Sequence, residues 1–309
     1  MNFYLILALC SAVSMASSGV IARLSGLGAA ELTFYRLFVG ALCLGVLVMV
    51  LGKQADLKQK PDRRIVLNGI LLASFMLCFL KAISFISLAN AIMLVYLAPA
   101  LAAIAAHFLF RERLDLVSGL LIALSFFGFA MLQQFKLDLV LTPAQWPGFV
   151  YGLMSLFTYT GFLLANRHSG KSASPLQRAF YQLLLGALCV LPFLTAAPIP
   201  AADQWIWVLL AGFFPGFLAI YLAIVALEHL PTRVFGTLAY IEPVAVILAG
   251  WWLFQETLSL LQLGGVALIL LAGLVQSVLH QRPPAQRLSV KNQSAQSQPA
   301  QSNSTELSP

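Results

Sequence analysis

The sequence has few charged residues. Asp, Glu, Lys and Arg make up 9% of its 309 residues, whereas hydrophobic residues make up 60%. Water-soluble domains carry about 25% charged residues, so this composition excludes an ordinary soluble domain and indicates that lipid is the surrounding solvent. The net charge of +7 does not indicate nucleic-acid binding, because the basic residues lie in short breaks between apolar runs.

Several catalytic and metal-binding motifs are also missing. There is no G-x-x-x-x-G-K-[ST] phosphate loop, so ATP is not expected to drive this chain directly. The four histidines are isolated, and neither H-E-x-x-H nor a cysteine pair offers a metal site. No G-x-S-x-G nucleophile elbow is present. We therefore expect no catalytic residue, no metal and no cofactor, and we do not expect an enzyme.

Ten apolar runs follow one another along the chain. Each is about 20 residues long, which is the length that an α-helix needs to cross a hydrocarbon core about 30 Å thick. They predict an all-α membrane protein with ten transmembrane helices, approximately at residues 3–22, 32–51, 65–85, 89–110, 116–132, 146–165, 176–195, 205–227, 233–254 and 260–279. Residues 281–309 are rich in Gln, Ser, Pro and Asn, which predicts a disordered cytoplasmic tail.

Lys and Arg are unevenly distributed between the breaks. With the N-terminus in the cytoplasm, 14 of the 18 basic residues lie in inner breaks or the tail, and only Arg23 and Lys136 lie outside. Cytoplasmic loops carry the excess of positive charge in membrane proteins. We therefore predict that both termini are cytoplasmic and that the chain lies in the cytoplasmic (inner) membrane of a bacterium.

Two stretches of the first half recur in the second. FYRLFVGALC at residues 34–43 recurs as FYQLLLGALC at residues 180–189. The Tyr-x-x-Pro stretch at 96–99, with a glutamate 13 residues after the proline, recurs at 240–243 with the same spacing. Duplication predicts two five-helix repeats, at 1–138 and 139–280. Because five is odd, the repeats are predicted to be inverted, a geometry used by alternating-access transporters that hold substrate near the bilayer midplane.

These residues resemble the drug/metabolite transporter superfamily of the EamA type. The resemblance covers residues 5 to 279 and rests on the apolar-proline stretch followed by glutamate, Glu112 and Glu256, and then by glycine, Gly119 and Gly264. It implies a ten-helix bundle with a central cavity, and export or exchange of amino acids, related metabolites or drugs. The motif says little about the substrate.

Glu242 is the strongest candidate site residue. It lies nine residues into its predicted span, which is roughly 13 Å from the cytoplasmic face by helical rise. A charge at such depth costs at least about 2.5–3.5 kcal/mol, so it needs a reason. Pro243, like Pro99 in the first repeat, removes a backbone donor and breaks the helix. We hypothesise that Glu242 carries a coupling proton or pairs with a substrate amine; the alternative is a structural carboxylate.

Two basic residues are predicted within spans, Arg36 and Lys81. Both lie toward the outer ends, where long side chains can extend to the headgroups. Arg36 is the stronger substrate-site candidate because Gln182 replaces it in the second repeat.

Further candidates for a cavity lining are Tyr96, Tyr240, Asn90 and His107. The two tyrosines precede the prolines by three residues and could stack on an organic substrate, although core packing explains them equally well. Asn90 either lines the pore or binds a neighbouring helix. His107 fits a satisfied buried histidine better than a proton relay.

The sequence therefore favours a secondary transporter, an exporter of amino acids or related small metabolites, with the lipid bilayer and a coupling proton as candidate partners. Multidrug efflux is the alternative, and an intramembrane enzyme or a non-transporting sensor is weaker still.

Overall fold

A computed structural model describes residues 3–58, 60–112, 114–136, 142–168, 173–194, 199–255 and 257–281. Within these ranges the regular structure is entirely helical. The predicted tail beyond residue 281 and the predicted helix-end residue Glu256 lie outside the described residues.

The first half of the chain forms five apolar helical segments. They are segment 1, Phe3–Ser25; segment 2, Ala29–Val50; segment 3, Arg63–Ala82; segment 4, Leu88–Tyr96 continued by Ala98–Phe110; and segment 5, Leu116–Leu132. A short helix that the sequence did not predict, Gln54–Lys58, precedes segment 3.

The second half forms five more segments. They are segment 6, Trp146–His168; segment 7, Pro175–Val190 with a final 3-10 turn, Leu191–Phe193; segment 8, Trp205–Ala211, Gly212–Leu218 and Ala219–His229; segment 9, Thr232–Ala239 with Ile241–Phe254; and segment 10, Leu260–Gln281. The middle part of segment 8 is a π-helix that contains Pro215.

Nine of the ten segments, within the described residues, are long and apolar enough to cross a membrane. Segment 5 has 17 residues, or about 25 Å of helical rise, somewhat less than a bilayer core. Ten crossings therefore remain a prediction. The outer surface is strongly apolar, with Val50 77%, Phe108 76% and Leu260 88% exposed. Such a surface would cause aggregation in water but is stable in contact with lipid chains.

Segments 4 and 9 are interrupted at corresponding places. The helix of segment 4 breaks at Leu97, two residues before Pro99, and that of segment 9 breaks at Tyr240, three residues before Pro243. A proline has no N–H to donate to the carbonyl four residues earlier, so the hydrogen-bond ladder fails there. Polar backbone is thereby placed in the middle of both segments.

The same two segments also end in the same way. Arg111 ends segment 4 and Gln255 ends segment 9, and both adopt the left-handed conformation, with φ of 53° and 54°. Few residues other than glycine adopt this conformation, so its use at equivalent positions agrees with a duplicated unit.

Helix pairs join the two halves of the chain. Segment 1 packs on segment 8, segment 3 on segment 6, segment 2 on segment 7, and segment 5 on segment 10. Exchanging the halves exchanges the first two pairs and leaves the last two unchanged. Segments 5 and 10 approach closely where Gly128 and Gly265 meet, because a Cβ atom at either would contact the other's carbonyl oxygen.

Two ends of the bundle differ in charge. One end, here called the charged end, gathers Glu112, Arg167, Arg178 and Glu228 from segments 4, 6, 7 and 8. Segment 1 starts there, since Tyr4 stacks on His229 at the end of segment 8. Segments 1 and 6 thus run in opposite directions through these contacts, which agrees with inverted repeats. The inversion as such remains a prediction.

Candidate functional site

A guanidinium and a carboxyl group face each other inside the bundle. Arg36 comes from the first third of segment 2, and Glu242 follows the break at Tyr240 in segment 9. The two side chains interact electrostatically, and both are only half-buried although they lie among the helices. No direct ion pair joins them among the described residues, but an opposite charge nearby lowers the cost of placing either charge in lipid.

Not all N–H donors of the Arg36 guanidinium are used in hydrogen bonds to the described part of the chain. One Nη atom lies 3.3 Å from the Met76 sulfur, which is a weak acceptor. The Nε atom is buried and has no hydrogen-bond partner among the described residues. A guanidinium with unused donors can bind a carboxylate.

Two tyrosines complete the surroundings of Glu242. The Tyr96 hydroxyl lies near enough to Glu242 to interact with it, and Tyr159 interacts electrostatically with both Glu242 and Arg36. The Tyr159 ring stacks on Phe75 with centroids 4.6 Å apart. Two aromatic and two charged side chains from segments 2, 4, 6 and 9 therefore lie near one another. We call Arg36, Tyr96, Tyr159 and Glu242 the interior site.

Tyr240 supports this site from behind. Its side chain is 0% exposed, and its hydroxyl donates to the backbone carbonyl of Tyr96 at 2.7 Å. Because the break in segment 4 leaves carbonyls near Leu97 without helical donors, this bond fixes Tyr96 across the two repeats. Of the two tyrosines predicted to line the cavity, Tyr96 belongs to the interior site and Tyr240 is a packing residue.

A small cavity leads to Arg36 from the end opposite the charged end. Its volume is about 40 Å³, and its lining comes from segments 1, 2 and 8: Ser18, Ile21, Leu32, Thr33, Arg36, Ala211 and Pro215. This volume is enough for water, since one water needs roughly 10–15 Å³ by the same measure.

The π-helix of segment 8 positions Arg36. Gly216 lies against the backbone of segment 2 so closely that a Cβ atom would overlap the Arg36 carbonyl oxygen, and a Cβ atom at Gly40, one turn further along segment 2, would lie 3.0 Å from the Gly216 carbonyl carbon. Small residues of this kind let two helices approach within membranes. Pro215 explains the irregular turn, because it cannot donate to the preceding turn.

The charged end is closed by two ion pairs, and one of them, Glu112–Arg167, joins the two repeats. Arg167 Nε donates to Glu112 Oε1 at 2.7 Å, and Arg167 Nη1 donates to the Glu228 carbonyl oxygen at 2.9 Å. Glu112 Oε2 accepts the N–H of Thr232 at 2.8 Å, which caps the start of segment 9. Segments 4, 6, 8 and 9 are therefore tied together at one point.

A second ion pair closes the same end. Arg178 pairs with Glu228, and the Arg178 side chain is only 1% exposed. Arg178 also donates to the Asn166 carbonyl oxygen at 3.4 Å. The sequence placed Arg178 in an inner break, where it gave no sign of burial.

Three predicted candidates lie apart from the interior site. Lys81 is exposed at the end of segment 3, as expected for a side chain that reaches the headgroups. Asn90 is in the first turn of segment 4, where its N–H donates to Ser87, about 9 Å of helical rise from Tyr96. His107 is exposed rather than buried, which corrects the expectation from sequence, and its Nδ1 lies 2.8 Å from the Glu112 carbonyl oxygen.

Sequence reasoning missed Tyr159. It lies in an apolar segment with no proline or charge beside it, and a tyrosine at such a place usually reads as packing. Its position is set by the pairing of segments 3 and 6, which no local pattern encodes. Among the described residues, no group of three metal-binding side chains comes together.

The fold and this arrangement define a multi-pass integral membrane protein with a charged interior site. Comparison with known proteins gives the family. The model of the EamA-like transporter family matches residues 2–133 and again residues 146–277. The chain belongs to this family, within the drug/metabolite transporter superfamily, and is a transporter.

Individual relatives agree with this assignment. An uncharacterized transporter of Archaeoglobus fulgidus is 31% identical over 271 residues, covering 86% of this chain and 93% of the relative. The pseudopaline exporter CntI of Pseudomonas aeruginosa is 25% identical over 253 residues, covering 80% and 85%. A solved crystal structure aligns with 90% of this chain and 99% of its own, with a TM-score of 0.80 at 19% identity, which shows a shared fold.

Proposed function

We propose that this protein is a secondary active exporter of amino acids or related small metabolites that works by alternating access. The observation that carries the proposal is the Arg36–Glu242 pair in the interior site, with guanidinium donors unused. An amino acid carries a carboxylate and an ammonium group. Arg36 would bind the carboxylate through parallel hydrogen bonds, and Glu242 would bind the ammonium group.

The tyrosines would hold the rest of the substrate. The rings of Tyr96 and Tyr159 offer apolar faces beside the charged pair, and an ammonium group is also attracted to an aromatic face. Glu242 is also the proposed carrier of a coupling proton, since an amine and a proton compete for one carboxylate. Exchange of the two would link export to proton uptake.

The observed conformation supports access from one end at a time. The cavity beside Arg36 approaches from the end opposite the charged end, whereas Glu112–Arg167 and Arg178–Glu228 close the charged end. A cavity of about 40 Å³ holds water but not an amino acid, so segments 1, 2 and 8 must separate to admit one. Alternation between the two ends is the motion that inverted repeats permit.

The direction of transport is proposed from charge and from one relative. The excess of Lys and Arg at the charged end favours a cytoplasmic location for that end and for both termini, in a bacterial inner membrane. The relative named as a pseudopaline exporter favours outward transport.

Multidrug efflux is the second candidate. It is favoured by the aromatic cluster of Tyr96, Phe126, Phe129 and Tyr240, whose ring centroids lie 4.5 to 6.4 Å apart. Tyr240 and Phe129 are buried in this cluster, whereas Tyr96 and Phe126 are partly exposed and could offer ring faces to bulky organic cations.

The test uses purified protein in liposomes. Labelled amino acids are offered singly, with and without a proton gradient, beside a panel of cationic dyes. We expect Arg36→Gln and Glu242→Gln each to lower amino-acid transport at least tenfold, and Glu242→Gln to remove its dependence on the gradient. Lys81→Gln and Glu31→Gln are the matched controls, because they remove like charges from an exposed helix end and a helix cap, and should keep the wild-type rate.

Wild-type rates in both interior variants, with unchanged gradient dependence, would show that this pair does not bind substrate. Transport of dyes without transport of amino acids would favour the efflux alternative.

A further inference from the structure

Asn68 has a buried side-chain amide whose hydrogen-bonding groups are unpaired among the described residues. It lies on segment 3, its side chain is 0% exposed, and neither its Nδ2 nor its Oδ1 atom has a hydrogen-bond partner among the described residues. A buried amide without partners is costly in lipid and in protein alike. The Asn68 amide is therefore expected to form hydrogen bonds in another conformation of the protein.

The register of segments 3 and 7 places Gln182 at the same level. Leu72 packs on Gly186, where a Cβ atom would lie 3.8 Å from the Leu72 side chain. Both segments begin at the charged end, so one turn toward that end the neighbours are Asn68 and Gln182. Gly69 supports this register, since a Cβ atom there would lie 3.4 Å from the Gln182 carbonyl oxygen.

A third buried amide joins them. Gln182 Nε2 donates to Asn166 Oδ1 at 3.0 Å, and both side chains are 0% exposed. The Gln182 Oε1 atom has no described partner. We call Asn68, Asn166 and Gln182 the amide cluster.

The amide cluster lies between the interior site and the charged end. Two turns along segment 3 from Asn68 is Met76, whose sulfur contacts Arg36. One turn along segment 7 in the other direction is Arg178, whose Nε atom is buried without a partner and whose guanidinium pairs with Glu228. The amide cluster thus lies on the charged-end side of the Arg36–Met76 contact.

The repeat relation gives the amide cluster a counterpart. Gln182 occupies the position in its repeat that Arg36 occupies in the first. Arg36 borders a cavity between segments 1, 2 and 8, and exchanging the halves converts these into segments 6, 7 and 3. Those are the three segments that carry the amide cluster.

We propose that the amide cluster lines the charged-end half of the transport pathway, closed in this conformation by the Arg178–Glu228 ion pair. This inference rests on the proposed alternating-access function. When the ion pair separates, segments 3, 6 and 7 open as segments 1, 2 and 8 close. The unpaired amide groups then bind water and the polar groups of a passing substrate.

The experiment measures water access without any substrate. The four natural cysteines, Cys10, Cys43, Cys78 and Cys189, are replaced by alanine. Single cysteines are then introduced as Asn68→Cys or Gln182→Cys, and the protein in liposomes is treated with a membrane-impermeant thiol reagent at the charged end. Each variant is made with and without Glu228→Gln, which removes one charge of the ion pair. Cysteine is small and tolerates burial. Asn68→Cys removes only unpaired polar atoms, whereas Gln182→Cys also removes the hydrogen bond to Asn166, so thermal unfolding in detergent checks that both variants are folded.

We expect slow labelling of both cysteines, accelerated at least tenfold by Glu228→Gln. Gln276→Cys is the matched control: Gln276 is also a buried amide with an unpaired Oε1 atom, but it binds Ser118 between segments 5 and 10, outside the proposed pathway. It should stay unlabelled in both backgrounds. Gln54→Cys, exposed at the charged end, confirms that the reagent reaches that end.

If neither Asn68→Cys nor Gln182→Cys reacts in the Glu228→Gln background while Gln54→Cys does, the proposal is overturned. Equal labelling with and without Glu228→Gln also overturns it, because the ion pair would then close nothing. The assay stays separate from the proposed function: failure of amino-acid transport with gated labelling would change the substrate but keep the pathway.

Discussion

Arg36 and Gln182 occupy equivalent positions in the two repeats, and the exchange of arginine for glutamine would make these positions differ in how strongly they bind a charged substrate. Both side chains project from the same place in their five-helix units, but only one carries charge. Arg36 interacts with Glu242 at the interior site, whereas Gln182 donates a hydrogen bond to the uncharged amide of Asn166. A transported anion or zwitterion would therefore be held strongly at one site and weakly at the other. A pathway needs this inequality, because a second strong site would hinder release.

Tyr159 provides the first prediction at this scale. Tyr159→Phe keeps the stacking on Phe75 but removes the hydroxyl that interacts electrostatically with Glu242 and Arg36. We expect transport in liposomes to fall about fivefold to twentyfold, since losing a polar group beside two charged side chains costs on the order of 1–2 kcal/mol. Thermal stability in detergent should change little.

Tyr151→Phe is the control for this prediction. Tyr151 lies eight residues earlier on segment 6, about 12 Å away by helical rise, and stacks on Phe85. It should transport at the wild-type rate. If the two variants behave alike, the Tyr159 hydroxyl has no role beyond packing.

At the scale of single helices, local sequence explains the ends and breaks of the segments well. Pro99 and Pro243 remove backbone donors, and the observed interruptions at Leu97 and Tyr240 follow directly. The π-helix at Gly212–Leu218 could not be foreseen, because Pro215 permits several local solutions. The choice among them depends on segment 2, which packs against that turn.

Contacts between helices set the limits of sequence reasoning at the site. Glu242, Arg36 and Tyr96 were found because a charge or a proline marks them within apolar runs. Tyr159 carries no such mark, and its role appears only when segment 6 is packed. His107 was misjudged for a related reason, since the sequence does not show which face of segment 4 points outward.

Gly216 gives the prediction at the scale of a helix pair. A Cβ atom there would overlap the Arg36 carbonyl oxygen, which is backbone and cannot rotate away. Gly216→Ala should therefore push segments 2 and 8 apart, lower the unfolding temperature by several degrees and weaken transport. The matched change Gly119→Ala meets nothing within 4 Å. It should leave stability unchanged or raise it by up to about 1 kcal/mol, because alanine favours the helix.

Thermal unfolding followed by circular dichroism in detergent compares the two glycine variants directly. A Gly216→Ala protein as stable as the Gly119→Ala protein would show that segments 2 and 8 can accommodate a Cβ atom at position 216. The proposed placement of Arg36 by segment 8 would then need another cause.

For the whole molecule, the pairing of helices joins the halves into one body. Exchanging the halves leaves segment pairs 2–7 and 5–10 unchanged and interchanges pairs 1–8 and 3–6. If the repeats are inverted as predicted, small shifts between the unchanged pairs would open one side while closing the other. The ion pairs at the charged end and the small cavity at the opposite end correspond to a state in which the charged end is closed and the opposite end has still to open for substrate.

Membrane topology is the prediction on which this relation depends. The start of segment 1 and the end of segment 6 meet at the charged end, so the two halves should face opposite ways in the bilayer.

In the cysteine-free protein, single cysteines are placed at Gln54, Ala144 and Asp203, and one is added at each chain end. An impermeant thiol reagent applied to intact cells should label Ala144→Cys and Asp203→Cys, which precede segments 6 and 8. Gln54→Cys and both chain ends should react only after permeabilisation, because the charged end faces the cytoplasm under the positive-inside rule. Labelling of one chain end but not the other in intact cells would mean an odd number of crossings. Two opposed five-helix units would then be impossible, and the exchange of access between the two ends would lose its geometric basis.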